Sequence, residues 1–539
     1  METALSLTVP KSDSVEHPSI EQEAARLGDW IRSLPYGDPE SAAKRLGESL
    51  YHLNRSPGAV PRRIDLMACY DEAFQRLFGI CLRRSLLSRS ADQSRSDRRY
   101  AELIRKLAVE MAYGYKLVIQ PRRAARRAGP TAPALIHALQ MLQIGLLFSY
   151  ARYRPPATST WTEFCALYAE AERLGLQETP VRVSDDGESH QTTCSALLKR
   201  AALLALLDPY RLSPGDIWHA DAYLKRWAGR AELTTVEAGQ HAEHAAVIDL
   251  RGTPPRPYAP DKAYQPVGRF LLVDPAPLRD VVGTHLEALE DPESRRSQAV
   301  ATLEPSRAAQ LLRHMQHAWY GAPRRQSPRK ERYEWLPVAS GLGAVVGQLR
   351  REPRGLEFAA LPTEGAEEGG RPGPMSGRAA ESGALRLRQF NRSASGVGVR
   401  VRLPTPPGLS VGQLVLVKDE GSRNGGSVLG IVRRMILRDS TNAEVGIEFL
   451  ETAVAPVELR PLVFGEGRKP DFQPGLIAEG PERGSRGMLL TPRHMFKPGR
   501  EYMVALRGSN LRVMAERLVE SNTGFDRFEY RVSLKDRAV

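Results

Sequence analysis

Cysteine is scarce in this chain. Four of 539 residues, Cys69, Cys81, Cys165 and Cys194, are cysteines, each alone in an apolar helical pattern and none at the close spacing of a metal site or disulfide framework. They are read as reduced core residues. Aromatic residues make up only 7% of the chain, and its strand-rich half lacks the paired aromatic platform of base-stacking folds. A nucleophile elbow, a phosphate-binding glycine loop, a metal triad and a carboxylate pair are all missing, so the chain is read as non-enzymatic and without a cofactor. His241 with His244, and His314 with His317, have helical spacing but no third ligand nearby, which favours packing or solvated histidines over a metal site. The start, Met-Glu-Thr-Ala-Leu-Ser, has neither the basic residues nor the apolar run of a signal peptide, which predicts a cytoplasmic location. One stretch is apolar at membrane length, Pro133 to Ala151, but it carries His137, Gln140 and Gln143. Such groups are costly in hydrocarbon, so a helix buried in a bundle is expected rather than a membrane span.

What the chain does have is positive charge. Its 76 Lys and Arg against 63 Asp and Glu give a formal +13, a balance that favours anionic partners: nucleic acid, a membrane surface or a phosphorylated ligand. The cluster Arg122, Arg123, Arg126 and Arg127 sits among Pro, Ala and Gly and reads as a solvated basic loop. With 42% hydrophobic residues the chain can build several cores, and its length favours three or four domains.

The pattern divides accordingly. Residues 1–230 read as a helical domain. Ser19 with Gln22 offers a capping box, Met67, Tyr70, Phe74, Leu77, Phe78 and Cys81 form one stripe, and Leu103, Leu107, Met111 and Tyr115 form another. Leu197, Leu198, Leu204 and Leu207 give a third, and Ser213-Pro214 reads as a cap opening a helix through Trp227. Trp161 to Leu174 has a flavour of helical-hairpin repeats, but no repeat period extends through the region, so an irregular helical domain is expected. Residues 231–323 read as a mixed connecting module, with short strands at Val247 to Leu250 and Phe270 to Val273 and helices at Asp280 to Glu290 and Arg307 to Trp319.

From Arg324 the texture changes to strand-length runs: Glu334 to Val346, Leu385 to Phe390, Val397 to Leu403, Gln413 to Val417, Val428 to Leu437 and Glu444 to Leu450. Six strands with turns between them predict a small antiparallel barrel over residues 324–461, interrupted by a flexible Gly, Glu and Pro-rich insert at 362–383. Residues 462–539 read as a C-terminal β module of five strands that either extends the barrel or stands apart. The fold class is thus multidomain α+β, with a helical N-terminal half before the strands.

Two motifs in the barrel region carry chemistry. Arg325 and Arg329, with Arg324 beside them, precede the first strand, and Asn391, Ser393 and Gly396 form an Asn-x-Ser-x-x-Gly turn. Further pieces follow at Val411 to Val415, Leu429 to Arg433 and Glu444 to Leu450. In these residues the stretch from Arg324 to Pro461 resembles a PilZ domain, the bacterial receptor module for cyclic di-GMP. It is similar in particular to the subset with a long helical N-terminal region. The resemblance implies a small β-barrel that binds the dinucleotide through Arg324, Arg325, Arg329, Asn391, Ser393 and Gly396 and relays it to a protein partner in motility, pilus or biofilm control.

The residue types suit that ligand. A guanidinium pairs bidentately with phosphate or with the guanine O6/N7 edge, and stacks on a purine face. Asn391 braces a turn or reaches a guanine, Ser393 offers a hydroxyl, and Gly396 permits a positive φ or a close approach. Arg350 with Arg354 repeats the Arg spacing and is the rival pair. The competing functions are a protein-interaction scaffold with a degenerate PilZ domain and a basic nucleic-acid-binding protein. The protein partner is expected to meet the helical region.

Overall fold

The computed structural model describes residues 7–12, 21–57, 60–87, 95–124, 131–185, 188–236, 244–259, 262, 264, 269–290, 303–321, 328–351, 385–405, 409–418, 426–450, 453–462, 470–478, 486–506 and 509–533. The chain divides into two compact units. The first holds Met1–Pro209, Gly215–Leu303 and Leu311–Pro323, and the second holds Tyr210–Pro214, Glu304–Gln310 and Arg324–Val539.

The first unit begins with six helices: α1 (Ala24–Arg32), α2 (Pro39–Arg55), α3 (Val60–Leu87), α4 (Arg95–Ala124), α5 (Thr131–Ala151) and α6 (Thr158–Arg173). α2 opens on Asp38, whose side chain accepts from the Ser41 amide at 3.3 Å, with Pro39 in the first helical position. α3 buries its whole predicted stripe, Met67 through Cys81. Over Ala132–Ala151 α5 is long and apolar enough to cross a membrane, yet 78% of that stretch is buried. One of its polar groups is tied within the unit: Gln143 Nε2 donates to Asp221 Oδ1 at 3.3 Å, and Arg200 grips the same carboxylate through two nitrogens. Burial pushes the thiols of Cys81, Cys165 and Cys194 up to about 12, the behaviour of inert core residues.

A hairpin, β1 (Val181–Asp185) and β2 (Glu188–Thr192), interrupts the helices before α7 (Cys194–Leu206) and α8 (Asp216–Trp227). Sequence periodicity missed it because the strands are five residues long and, among the β1 residues whose burial is described, only Val183 is fully buried. Other helix ends also differ from expectation. Ser19 lies outside the described residues, and α1 follows Glu23 with no side-chain cap. Gly215, at φ 87°, takes the N-cap position of α8 in place of Ser213. Arg122 and Arg123 end α4 instead of lying in a loop, and Arg126 and Arg127 fall outside the described residues. Strands β3 (Glu232–Thr235), β4 (Ala246–Asp249), β5 (Arg256–Pro257) and β6 (Phe270–Asp274) then form an antiparallel sheet in the order β3-β6-β4-β5, followed by α9 (Leu278–Glu290) and α10 (Pro305–Tyr320).

The second unit contains two closed antiparallel barrels. The first is built from β7 (Lys330–Glu331), β8 (Trp335–Ser340), α11 (Leu342–Arg351), β9 (Leu385–Ser393), β10 (Gly396–Arg402), β11 (Leu414–Lys418), β12 (Ser427–Leu437) and β13 (Asn442–Phe449). Its ring runs β8-β9-β10-β13-β12-β11 and returns to β8, and β7 prolongs β8 along β9. The second barrel is built from β14 (Val454–Pro461), β15 (Gln473–Ala478), β16 (Gly487–Thr491), β17 (Glu501–Leu506), β18 (Ser509–Ser521) and β19 (Asp526–Val532), and closes in the order β14-β15-β16-β19-β18-β17. The C-terminal strands therefore form a barrel of their own. β14 is one of its strands, although it lies within the 324–461 span read as the first barrel.

One expected strand is half helix. The run Glu334 to Val346 gives β8 only as far as Ser340; Gly341, at φ 88°, turns the chain, and α11 begins at Leu342. Leu342, Val345 and Val346 have helical spacing, and they pack with Leu414, Leu416, Leu429 and Ile431 of the first barrel and Val454, Leu476, Leu490 and Phe525 of the second. α11 is thus a wedge in a core shared by both barrels. Arg433 of β12 ties the same seam: its Nε donates to Glu448 of β13 at 2.7 Å, and its terminal nitrogens meet Glu520 of β18. Burial disfavours the Arg433 charge, but the two carboxylates outweigh that and raise its pKa.

Candidate ligand site

The site is built on three neighbouring strands. Ser393 and Gly396 pair across a two-residue turn, Ala394-Ser395, that joins β9 to β10. Ser393 Oγ lies 3.4 Å from Ser395 Oγ and donates to the Gly396 carbonyl at 3.4 Å. Gly396 does not adopt a positive φ. A Cβ there would collide with the Ile447 carbonyl oxygen of β13, so the glycine admits the neighbouring strand.

Next along the outer face is Asn391, paired with Gly398. A Cβ at Gly398 would meet Asn391 Oδ1 at 2.5 Å and the Phe390 ring at 2.7 Å. The absence of a side chain at 398 is what lets both residues lean across the sheet. The ladder slips between Gly398 and Val399, leaving Phe390 as the extra residue. Arg392, one step further, faces the other way, its guanidinium carbon 5.2 Å from the centre of the Phe449 ring.

On the other side of β9, Lys330 pairs with Arg392 and Glu331 with Asn391. Continued by one residue, this antiparallel register sets Arg329 level with Ser393. Two segments about sixty residues apart therefore meet as adjacent strands. Arg329 is exposed; Arg324 and Arg325, five and four residues before it, lie outside the described residues, as does the 362–383 insert. Of the rival pair, Arg350 lies in the last turn of α11 and donates to Glu458 of β14 at 3.2 Å, and Arg354 is not among the described residues.

The outer face carries more cations than the motifs name. Arg386, Arg388, Arg400 and Arg402 are exposed along β9 and β10. Arg400 and Arg438 lie 3.7 and 2.9 Å from the Glu444 carboxylate, and Arg400 sits 5.4 Å from the Phe390 ring centre. Among the described residues, no carboxylate pairs with Arg329, Lys330, Arg386, Arg388 or Arg402. Gly398 and the outward arginines were missed by motif reading. Their signal was the alternation Arg386, Leu387, Arg388 and Arg400, Val401, Arg402, which sets every second side chain outward.

A family model described as the N-terminal domain of the cyclic-di-GMP receptor FimW matches residues 25–239, most of the helical region. A second, described as the FimW C-terminal β-barrel domain, matches residues 460–533 and so takes in most of the second barrel. The chain belongs to the FimW family of cyclic-di-GMP receptors. No curated protein and no solved structure matches it. The receptor's two matched regions flank the first barrel, whose motif residues rest on the geometry just described.

Proposed function

We propose that the first barrel is where this receptor holds cyclic di-GMP, with Arg329, Asn391 and Ser393 on its outer face and Arg324 and Arg325 on the segment leading into β7. The observation that carries the reading is the pairing of Lys330 with Arg392 and Glu331 with Asn391, which brings Arg329 level with the Asn-x-Ser-x-x-Gly hairpin. The chemistry agrees: an uncompensated cationic edge attracts two phosphates, and a guanidinium offers them paired N–H donors. Gly396 serves the barrel rather than the ligand, since its space is filled by the Ile447 carbonyl.

Capture of the ligand alters the surface that the helical region presents to a protein partner in pilus, motility or biofilm control. The binding test is calorimetric titration of the full chain with cyclic di-GMP, alongside Arg325→Ala, Arg329→Ala and Asn391→Ala and a linear dinucleotide control. Charge-assisted hydrogen bonds contribute about 1.5–3 kcal/mol each, so each arginine variant is expected to lose roughly tenfold to a hundredfold in affinity. Unchanged affinity in all three variants would move the site off the first barrel. Superimposable scattering profiles with and without nucleotide would count against a ligand-driven rearrangement of the chain.

A further inference from the structure

We infer that Trp335, with Arg388 beside it, forms a platform on which one guanine of the bound cyclic dinucleotide stacks, a second subsite adjoining the Asn391 hairpin. The inference rests on the first barrel being the receptor's ligand site.

Large apolar side chains rarely stand open to water without a use when they cluster. Among the described residues, Tyr333 and Trp335 are the two most exposed large hydrophobics, each at 60%, and both fall on the stretch that follows Arg329. Tyr333 is held locally, its hydroxyl donating to Glu331 Oε2 at 3.2 Å. Burial alternates along β8, with Leu336 and Val338 inside, so Trp335 projects outward.

The register then assembles a row. Trp335 of β8 is directly opposite Arg388 of β9, and Arg388 is directly opposite Arg400 of β10. Directly opposed residues of an antiparallel pair share a face, with Cβ atoms about 5 Å apart. An indole and two guanidiniums therefore stand side by side on the face that carries Asn391. Arg400 has Glu444 for a partner, whereas Arg388 pairs with no carboxylate among the described residues. Arg388 lies three residues from Asn391 along β9, roughly 10 Å, within reach of one ligand that carries two bases.

The chemistry names the occupant. An indole face accepts a flat base, a guanidinium addresses the O6/N7 edge of guanine, and both gain from an anionic ligand on a basic surface. With Tyr333 tied to Glu331, the one exposed aromatic left untethered on this stretch, Trp335, suits one base of a small cyclic ligand better than a strand of nucleic acid, which needs successive platforms.

The test is calorimetric titration of the full chain with cyclic di-GMP, using Trp335→Ala, Trp335→Phe and Arg388→Ala beside Arg329→Ala. Because Trp335 is largely exposed, its truncation is expected to leave the thermal melt unchanged. Base stacking on an aromatic ring predicts a loss of tenfold or more, as an order of magnitude, for Trp335→Ala, with most of it restored by Trp335→Phe. Wild-type affinity in Trp335→Ala alongside lost affinity in Arg329→Ala overturns the platform and leaves the receptor site in place. Unchanged affinity in Arg329→Ala as well overturns both.

Discussion

On the second barrel, Arg517 and Arg486 reach Glu529, Arg486 and Arg531 reach Glu516, and Arg512 reaches Glu501. On the first, Arg329, Lys330, Arg386, Arg388 and Arg402 are exposed with no carboxylate partner among the described residues. Both barrels close with six strands and share the core around α11, so closure does not require unpaired charge. Unpaired arginines on one barrel are costly in self-repulsion and become favourable only when an anion arrives. Outward arginines matched by glutamates serve the sheet; the proposed function assigns the unmatched ones to a ligand.

The largest effect should come from the interior of the second barrel. Phe528 is fully buried among Tyr502, Val504 and Leu489, and Phe528→Ala is expected to cost about 3–5 kcal/mol in urea denaturation. Affinity of the folded protein for cyclic di-GMP should stay at the wild-type value; a parallel loss would erase the distinction between the barrels.

Two glycines sharpen the comparison at intermediate size. A methyl at Gly487 would collide with the Tyr530 ring of the second barrel, and one at Gly398 would displace Asn391 and Phe390 on the first. Each substitution by alanine should lower stability by about 1–3 kcal/mol. Only Gly398→Ala should also weaken cyclic di-GMP binding, read by titration at a temperature where both variants are folded.

The smallest effect is expected at a matched arginine. Arg517→Ala removes a surface ion pair with Glu529 and should change stability by less than about 1 kcal/mol, with no change in ligand affinity. A loss of affinity there would place nucleotide on the second barrel.

Much of this was legible beforehand because burial on one face writes a period into the chain. The stripe from Met67 to Cys81 announced α3, and the alternations at Leu385 to Phe390 and Val397 to Leu403 announced β9 and β10. The receptor family followed from motifs whose residue types suit phosphate and guanine. Short or compound elements were hidden: β1 and β2 offer too few residues for a period, and the apolar run from Trp335 to Val346 concealed a change from strand to helix at Gly341. The reason Gly396 is glycine was also hidden, since the atom that fills its space belongs to Ile447, fifty-one residues later.

Sequence alone determined the longer helices and strands, the basic balance and the residue types of the motifs, because these depend on each residue and its near neighbours. Tertiary structure decided which arginines are matched and which stand open, that Trp335, Arg388 and Arg400 form one row, and that β14 closes the second barrel rather than the first. Those facts depend on strand register, and register is set by how two faces pack across the whole unit.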